Sequence, residues 1–303
     1  MTKSADTHCP YCALQCAMTL TSPMALAPAS QPGSVPVPGT AAPGIPLAAP
    51  LEVSGRDFPT NRGGLCRKGW TSASLLNHPG RITEPLLKGA DGVHRPISWD
   101  QALDIAVSAV KDARARYGAD AVGVFGGGGL TNEKAYLLGK FARLALGTSR
   151  IDYNGRFCMS SAAAAGNRAF GLDRGLPFPL TDLGTARTIL MLGSNTADTM
   201  PPFVQHLQAA RDAGGLIVVD PRRSATAELT SEGRGRHLQP APKTDLALLL
   251  GITHVVIMEG LIDEPYVHRR TNGYDDVVRS VAPWWPERVS SITGVPALSL
   301  IHI

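Results

Sequence analysis

Apolar and polar positions alternate with two different periods along this chain, and the two periods predict strands and helices. Residues 17–21 (AMTLT) alternate with period two, as in a short strand, and residues 51–53 could begin its partner. Ser98 and Gln101 have the spacing of a capping box, S-x-x-Q, and predict a helix that runs to about Tyr117. The N-terminal part is therefore expected to pair strands before the first long helix begins.

Further along the chain, the order strand, glycine-containing turn, helix occurs repeatedly. The strands are predicted at residues 121–125, 188–192 and 216–219, and the helices at about residues 132–146 and 201–213. Alternating strands and helices are typical of a parallel sheet with helices on both faces. The predicted fold class is α/β: a small N-terminal domain followed by doubly wound parallel-sheet α/β domains.

One tract interrupts the predicted N-terminal strands. Residues 22–50 are rich in Pro, Ala and Gly, and such a tract cannot bury enough apolar surface to offset its ordering entropy. We therefore expect it to be disordered. Because the entropy of loop closure grows only logarithmically with length, the flanking strands could still pair.

The composition excludes some functions. Of the 303 residues, 44% are hydrophobic and 18% are charged, as in a globular protein, and a net charge of +4 gives little support for a nucleic-acid partner.

The most apolar stretch, residues 246–262, contains Thr253, His254 and Glu259, so it predicts a buried helix and not a membrane span. The N-terminus has neither an apolar signal region nor a twin-arginine pair. We therefore expect a cytoplasmic protein with no membrane partner.

Four of the five cysteines form a pattern typical of an inorganic centre. Cys9, Cys12 and Cys16 have C-x₂-C-x₃-C spacing, which places three thiolates on one tight loop, and Cys66 can supply a fourth. Four thiolates select zinc or an iron–sulfur cluster, and the spacing alone leaves both open. This spacing is, however, less usual for zinc than paired C-x₂-C knuckles.

The fifth cysteine, Cys158, belongs to a different motif. It follows a turn that contains Asn154 and Gly155, and it precedes the helix-forming run SSAAAAG. A cysteine at a helix N-terminus is favoured as a thiolate, which is the form that binds a metal. The alternative for a lone cysteine is a buried and inert thiol.

A third motif predicts a phosphate-binding turn. Residues 193–198 lie between a strand and a helix, where backbone N–H groups and the helix dipole can hold phosphate. Asp220 ends the next strand, where doubly wound folds place an acidic residue for ribose or base contacts, and Arg222 could supply charge to phosphate. The alternative is an ordinary turn, because the sequence is not G-x-G-x-x-G. Thr244 and Asp245 open the following helix, and their alternative is a plain N-cap.

Taken together, these motifs resemble the catalytic subunits of the molybdopterin oxidoreductases, and most closely the assimilatory nitrate reductase branch of that family. The matching stretches are residues 9–16, 59–72, 76–81, 130–143, 154–162, 192–198 and 218–223. The resemblance covers nearly the whole chain but only the N-terminal part of the family's subunit. It implies a fragment that would bind the molybdenum cofactor poorly or not at all. The chain departs from the family in the long separation of its third and fourth cysteines.

The resemblance implies two cofactors. A [4Fe–4S] cluster would be bound by Cys9, Cys12, Cys16 and Cys66, and molybdenum bis(molybdopterin guanine dinucleotide), Mo-bis(MGD), would be bound through its metal by Cys158. The domains would be a cluster domain at 1–80, the first part of an α/β domain at 81–150, and a truncated dinucleotide-binding domain at 151–303.

The resemblance also implies roles for single residues. Lys68 would couple electron transfer between cluster and pterin, although most lysines are simply solvated. Met159 would lie beside the substrate funnel, and Asn154 would contact the cofactor. The residues implied to contact the guanine dinucleotide are Gly193, Ser194, Asn195, Asp198, Asp220, Arg222, Thr244 and Asp245.

The function so implied is reduction of nitrate to nitrite by two-electron oxygen-atom transfer. The electrons would come from reduced ferredoxin, a flavodoxin or an NADH-linked subunit. One alternative is a cytoplasmic formate dehydrogenase of the same family, in which His usually follows the metal-binding cysteine where this chain has Met159. The other is a zinc-bearing, non-enzymatic nucleotide-binding protein.

Overall fold

The structure, a computed structural model, describes residues 3–22, 51–76, 78–172 and 175–302. By its internal contacts the chain divides into two compact units. The first unit comprises Met1–Arg56 and Arg67–Pro177, and the second comprises Asp57–Cys66 and Phe178–Ile303. The short segment 57–66 therefore belongs with residues that follow it by more than a hundred positions.

The first unit begins with a three-stranded antiparallel sheet. Strand β2 (Ala17–Ser22) lies between β1 (Lys3–His8) and β3 (Glu52–Gly55), and it pairs with both. This arrangement confirms the strand predicted at residues 17–21 and its partner near residue 51. The tract predicted to be disordered lies outside the described residues, except for Ser22 at the end of β2.

Two smaller strand pairs follow in the same unit. β4 (Leu86–Lys88) and β5 (His94–Pro96) form an antiparallel hairpin, which the hydrophobic pattern did not predict. β6 (Val124–Gly126) and β7 (Ile151–Tyr153) run parallel, so their carboxyl ends lie at the same edge.

The first unit also contains five α-helices among the residues that the structure describes. They are α1 (Arg67–Trp70), α2 (Trp99–Tyr117), α3 (Asn132–Lys140), α4 (Gly155–Cys158) and α5 (Ser160–Phe170). The predicted capping box of α2 is confirmed, since Ser98 Oγ accepts from the N–H of Gln101 and the Gln101 side chain accepts from the N–H of Ser98. The helix predicted to reach residue 146 ends its α-helical part at Lys140 and continues as a π-helical turn, Phe141–Ala145.

The second unit contains a parallel sheet in the order β10–β9–β8. The strands are β8 (Ile189–Leu192), β9 (Leu216–Val219) and β10 (Gly235–Leu238). All four residues of the central strand β9 are buried. These parallel strands and the helices beside them confirm the predicted α/β class.

The second unit contains eight α-helices among the described residues, and a 3₁₀ helix lies where the sequence predicted an α-helix. The α-helices are α6 (Thr196–Thr199), α7 (Gln208–Asp212), α8 (Ala225–Glu228), α9 (Asp245–Met258), α10 (Glu264–Arg270), α11 (Tyr274–Val281), α12 (Pro286–Thr293) and α13 (Ala297–Ile301). The helix predicted over 201–213 is a 3₁₀ helix at Pro201–Leu207 that passes into α7. The two prolines at its start lack a backbone N–H. The first turn of an α-helix or a 3₁₀ helix does not need that N–H, so the prolines are compatible with both types.

The core of the second unit lies on both faces of β9. Side chains alternate along a strand, so Ile217 and Val219 face one way and Leu216 and Val218 face the other. The first pair packs with residues of β10, α9, α12 and α13, and the second packs with residues of β8, the 3₁₀ helix and α8. The predicted placement of helices on both faces is therefore confirmed for this sheet.

Helix α9 is the segment whose apolar character was greatest in the sequence. Leu248 in it is fully buried, whereas Leu246 and Met258 are exposed, so one side of the helix faces the core. Within the part of the chain that the structure describes, none of the helices combines the length and the apolar composition that a membrane span needs.

Candidate functional site

Two of the predicted ligand cysteines face each other across the first hairpin. The pairing of β1 with β2 ends at His8 and Ala17, and the N–H of Cys9 donates to Cys16 O at 2.8 Å, which extends the ladder by one pair. Residues directly opposite in an antiparallel ladder carry their side chains on the same face. Cys9 and Cys16 therefore present neighbouring thiols, and both residues are buried.

The third cysteine of this loop, Cys12, is held by a local turn. The N–H of Gln15 donates to Cys12 O at 3.1 Å, and Gln15 has a left-handed φ of 47°. His8 Nδ1 donates to Gln15 O at 2.8 Å and ties the turn to the end of β1. A left-handed non-glycine residue costs on the order of 1–3 kcal/mol, so these hydrogen bonds fix a loop shape that the chain would otherwise avoid.

The fourth cysteine lies at the end of segment 57–66 and is half-buried. Among the residues that the structure describes, no three His, Cys, Asp or Glu side chains are grouped as a metal site. The ligand set of Cys9, Cys12, Cys16 and Cys66 therefore stays a prediction.

Lys68 lies in the short helix α1 and is exposed. The helix is held through buried Ser72, which follows it: Ser72 Oγ donates to Gly69 O at 2.8 Å and lies 3.6 Å from Met18 Sδ in β2. The Lys68 side chain thus stands on an anchored turn. Its exposure is equally compatible with a solvated lysine, so its role stays a prediction.

Cys158 is presented at the carboxyl edge of the parallel pair β6–β7. The turn after β7 begins with Asn154, whose side-chain oxygen accepts from the N–H of Gly128 in the turn after β6, at 2.7 Å. The backbone oxygen of Asn154 accepts from the N–H of Cys158 at 3.2 Å. One asparagine therefore joins the glycine turn to the cysteine turn.

The thiol of Cys158 is exposed, and apolar side chains flank it. Cys158 ends α4, and Met159 is the N-cap of α5, which confirms a cysteine just ahead of a helix. Met159 is 46% exposed and Phe157 is 81% exposed, and the ring of Phe157 lies 6.5 Å from that of Phe125. Cys158 is exposed, and not buried as in the alternative, whereas its role as a metal ligand stays a prediction.

The predicted phosphate turn lies at the carboxyl edge of the parallel sheet in the second unit. The N–H of Gly193 donates to Val219 O at 2.8 Å, and Gly193 has a φ of 56°. Leu192 pairs with Val219, so Gly193 and Asp220 follow neighbouring strand ends. The sheet therefore brings the turn after β8 together with the turn after β9, which is where ligands bind in open α/β sheets.

Inside this turn, Asn195 and Asp198 are engaged with the protein. Asn195 Nδ2 donates to Asp198 Oδ2 at 2.7 Å, and Asn195 Oδ1 accepts from Thr226 Oγ1 at 3.0 Å. Thr226 Oγ1 also accepts from the N–H of Ala197 at 2.9 Å. Thr226 is fully buried and was not singled out by its sequence, since no local pattern links it to a turn about thirty residues earlier.

Asp220 is buried and shapes the second turn. Its Oδ1 accepts from the N–H of Arg222 at 2.8 Å, and its backbone oxygen accepts from His237 Nε2 at 2.9 Å. Arg222 itself is exposed. Next to it, the Arg223 guanidinium is bonded to Glu228 at 2.5 Å and lowers the pKa of that carboxyl below its usual range. The carboxyl edge of this sheet therefore carries two cations: Arg222 is exposed, and Arg223 forms an ion pair with Glu228.

The last predicted pair, Thr244 and Asp245, opens α9. Thr244 is the N-cap residue of α9, as in the plain N-cap alternative, but its Oγ1 donates to Ala241 O at 2.7 Å and makes no capping hydrogen bond to the helix. The contacts of these two residues with a cofactor stay predictions.

The chain is similar to known proteins over most of its length. The family model described as Molybdopterin oxidoreductase matches residues 81–297. The chain is 38% identical over 276 residues to the assimilatory nitrate reductase catalytic subunit of Bacillus subtilis (strain 168), covering 91% of this chain and 35% of that protein. It is 31% identical over 245 residues to the F420-dependent formate dehydrogenase 2 subunit alpha of Methanococcus maripaludis, covering 80% of this chain and 35% of that protein.

The fold is shared with acetylene hydratase from Pelobacter acetylenicus. The TM-score is 0.78 at 23% sequence identity, and the match covers 98% of this chain and 38% of that one. The chain thus spans 35% of the length of the two curated relatives described above.

Proposed function

Because the chain belongs to the molybdopterin oxidoreductase family, we propose that it is part of a molybdenum-dependent nitrate reductase that reduces nitrate to nitrite. The activity, its substrate and its partners are those proposed for the whole enzyme. We place that enzyme in the cytoplasm, with reduced ferredoxin, a flavodoxin or an NADH-linked subunit as its electron donor.

The observation that carries this proposal is the exposed Cys158 thiol beside the turn that Asn154 fixes. A molybdenum centre of this kind needs a protein thiolate that is accessible and held in place. Cys158 is exposed, and its backbone N–H is bonded to Asn154 O at 3.2 Å. The residue type, its exposure and its anchored turn therefore fit the predicted ligand.

The hairpin cysteines fit the second proposed cofactor. Cys9 and Cys16 are opposite each other and buried, and Cys12 lies on the loop between them. Buried cysteines at facing strand ends, with a third on the loop between them, suit an iron–sulfur cluster, which we propose is [4Fe–4S] with Cys66 as the fourth ligand. Lys68, two residues after Cys66, would lie on the path of electrons that leave the cluster.

When bound, Mo-bis(MGD) would supply oxygen-atom transfer, and the protein would supply binding and orientation. Cys158 would hold the metal through its sulfur. Met159, which follows Cys158 in the chain and is exposed, would lie beside the substrate funnel. Asn154 would keep the turn after β6 in place.

The guanine dinucleotide would bind at the carboxyl edge of the sheet in the second unit. Backbone N–H groups of residues 193–198 would face phosphate, with the charge of Arg222 nearby. Asn195 bonds both to Asp198 and to Thr226, so we propose that Asn195 and Asp198 shape the turn. Asp220 would contact the nucleoside, and Thr244 and Asp245 would contact the cofactor from the start of α9.

Nitrate is favoured over formate by two features of the chain. Its relative from Bacillus subtilis, at 38% identity, carries the name of a nitrate reductase, whereas the formate dehydrogenase of Methanococcus maripaludis is 31% identical. In addition, Met159 follows Cys158, where formate dehydrogenases usually have His. Formate oxidation is kept as the second candidate because a relative of that name covers 80% of the chain.

The test is an elemental analysis of protein purified without oxygen. We expect iron and acid-labile sulfide at about four each per chain. One zinc per chain with neither iron nor sulfide, reproduced after anaerobic reconstitution, would overturn the cluster and favour a zinc-bearing, non-enzymatic protein.

A second measurement decides the substrate. The whole enzyme that contains this chain, loaded with molybdenum, is offered nitrate with a reduced viologen dye, and formate with an oxidised one. Nitrate-dependent oxidation of the dye that disappears in Cys158→Ser supports the proposal. Formate-dependent reduction of the dye without any reduction of nitrate would favour the second candidate.

A further inference from the structure

A histidine in the second unit is bonded to the segment that ends in Cys66. His206 is 0% exposed, and its Nε2 lies 2.9 Å from the backbone oxygen of Thr60. A carbonyl oxygen can only accept, so Nε2 carries the hydrogen and donates it. Among the described residues, His206 Nδ1 is buried without a partner, so the hydrogen bond to Thr60 is the one that the ring makes there.

The segment beyond Thr60 is a tight turn of fixed shape. The N–H of Gly64 donates to Asn61 O at 2.7 Å, and the two central residues, Arg62 and Gly63, have φ values of 44° and 79°. These are the features of a type I′ turn. Asn61 Nδ2 donates back to Gly64 O at 2.9 Å, and Asn61 is 1% exposed.

This turn packs against the helix that carries His206. A cleft of about 340 Å³ has walls from both sides, from the turn through Asn61 and Arg62 and from the helix through Pro201, Pro202 and Gln205. Gln205 Nε2 donates to Pro202 O at 2.7 Å, which holds the helix wall. The turn therefore lies beside Pro201–Leu207, and the hydrogen bond from His206 to Thr60 holds its N-terminal end.

From this geometry we propose that His206 is a positioning residue for Cys66. Cys66 follows Gly64, the last residue of the turn, by two positions, so the place of its thiol depends on how the turn is seated. The proposal rests on the proposed function, in which Cys66 is a ligand of the cluster. His206 touches neither cluster nor substrate in this account, and it acts through Thr60 and the turn.

The same helix also follows the predicted phosphate turn. The chain passes from residues 193–195 through α6 into Pro201–Leu207 within seven residues of Asn195. A displacement of the 3₁₀ helix would therefore reach both the Cys66 segment and the turn after β8. His206 belongs to this 3₁₀ helix, which contacts the Cys66 segment and also follows the turn after β8.

The test compares His206→Ala with His206→Gln and with His254→Ala. Gln retains a side-chain N–H donor, so it should restore part of the effect. His254 is the matched control, since this partly buried histidine of the same unit bonds through Nδ1 to Val281 O at 3.0 Å on a different element. All three variants and the wild-type full chain are purified without oxygen.

Two readouts are needed. The first is hydrogen–deuterium exchange of residues 57–66 in protein stripped of metal, where loss of the His206 bond should raise the rate about tenfold in His206→Ala. The second is the cluster itself: iron content, the electron paramagnetic resonance spectrum after reduction, and the midpoint potential. We expect a changed spectrum, a shifted potential and roughly half the iron or less in His206→Ala, with wild-type behaviour in His254→Ala.

The outcomes separate the two proposals. Unchanged exchange and an unchanged spectrum in His206→Ala would overturn the positioning role, as would equal effects of His254→Ala. If the wild-type protein binds no iron, the cluster proposal fails, and faster exchange in His206→Ala would then show a structural anchor with no ligand to position. Recovery in His206→Gln would show that the donated hydrogen bond, and not the volume of the ring, is what matters.

Discussion

The side-chain oxygen of Asn154 accepts a hydrogen bond from the backbone N–H of Gly128, 2.7 Å away. The two residues are 26 positions apart and follow neighbouring parallel strands, β7 and β6. A side chain at Gly128 would meet that same oxygen, since a Cβ placed there would lie 3.3 Å from it. The bond and the small residue together let the two turns approach each other beside Cys158.

Removing this acceptor should loosen the glycine turn. In Asn154→Ala we expect amide exchange of residues 126–130 to rise about fivefold, because a hydrogen bond of this kind contributes on the order of 1 kcal/mol. Asn154→Asp should stay near the wild-type rate, since a carboxylate oxygen also accepts. The measurement is hydrogen–deuterium exchange, with Asn167→Ala, an exposed asparagine in α5, as the control. Equal rates in Asn154→Ala and wild type would contradict the anchoring role.

The two groups of cysteines should respond separately to substitution. Cys12→Ser should lower iron and sulfide to about half or less, because it removes one of four thiolates from the proposed cluster. Cys158→Ser should leave both at the wild-type level, since it alters the other centre. The measurement is iron and sulfide per chain after anaerobic purification. A loss of iron in Cys158→Ser as large as that in Cys12→Ser would show that the sites are not independent.

Thr226 should matter for the stability of the second unit. Thr226→Val removes the hydroxyl that accepts from the N–H of Ala197 and bonds to Asn195, and it leaves these groups without that partner. We expect the free energy of unfolding to fall by about 1–3 kcal/mol. Thr226→Ser keeps the hydroxyl and should lose less. Urea denaturation checks this, and identical midpoints for the Val variant and wild type would rule out the proposed network.

The pair Arg223–Glu228 should make stability depend on acid pH. The hydrogen bond from Arg223 lowers the pKa of Glu228 in the folded protein, and the same contact raises the pKa of Arg223. A lowered folded pKa means that the stabilisation is present above the ordinary Glu range and is lost as the pH falls through the lowered value. Both side chains are exposed, so the effect should be small and should shrink in high salt.

Unfolding measured from neutral to acid pH in wild type and Arg223→Ala tests this pair. The wild type should lose more stability over that interval than the variant does. Parallel curves would show that the contact contributes nothing. Glu228→Gln, which cannot titrate, should behave as Arg223→Ala does.

Elements specified by neighbouring residues were predictable from the sequence. The capping box of Ser98 and Gln101 depends on two side chains three positions apart, and the structure shows both of its bonds. Strand β9 is buried on both faces and was predicted at its observed bounds, residues 216–219. The hairpin β4–β5 was missed, although Asp91-Gly92 at its turn is a local signal for one.

Features that depend on distant residues were not predictable. The partner of Asn195 is Thr226, and that of His206 is Thr60, and no period or spacing in the sequence connects either pair. The motif containing Asn195 was recognised and predicted to contact the cofactor, but the hydrogen bonds of the Asn195 side chain to Asp198 and Thr226 were not foreseen. Thr244 is the N-cap residue of α9, yet its hydroxyl donates to the preceding Ala241 O and not to the helix.

The bond between His206 and Thr60 spans 146 positions of the chain, and this has a consequence for how the protein is made. During synthesis, residues 57–66 leave the ribosome long before the helix on which they rest. At typical elongation rates of 5–20 residues per second the interval is about 7–30 s. Until His206 has been synthesised, the turn lacks the helix that it packs against. Maturation of any centre that uses Cys66 should therefore follow translation of the second unit.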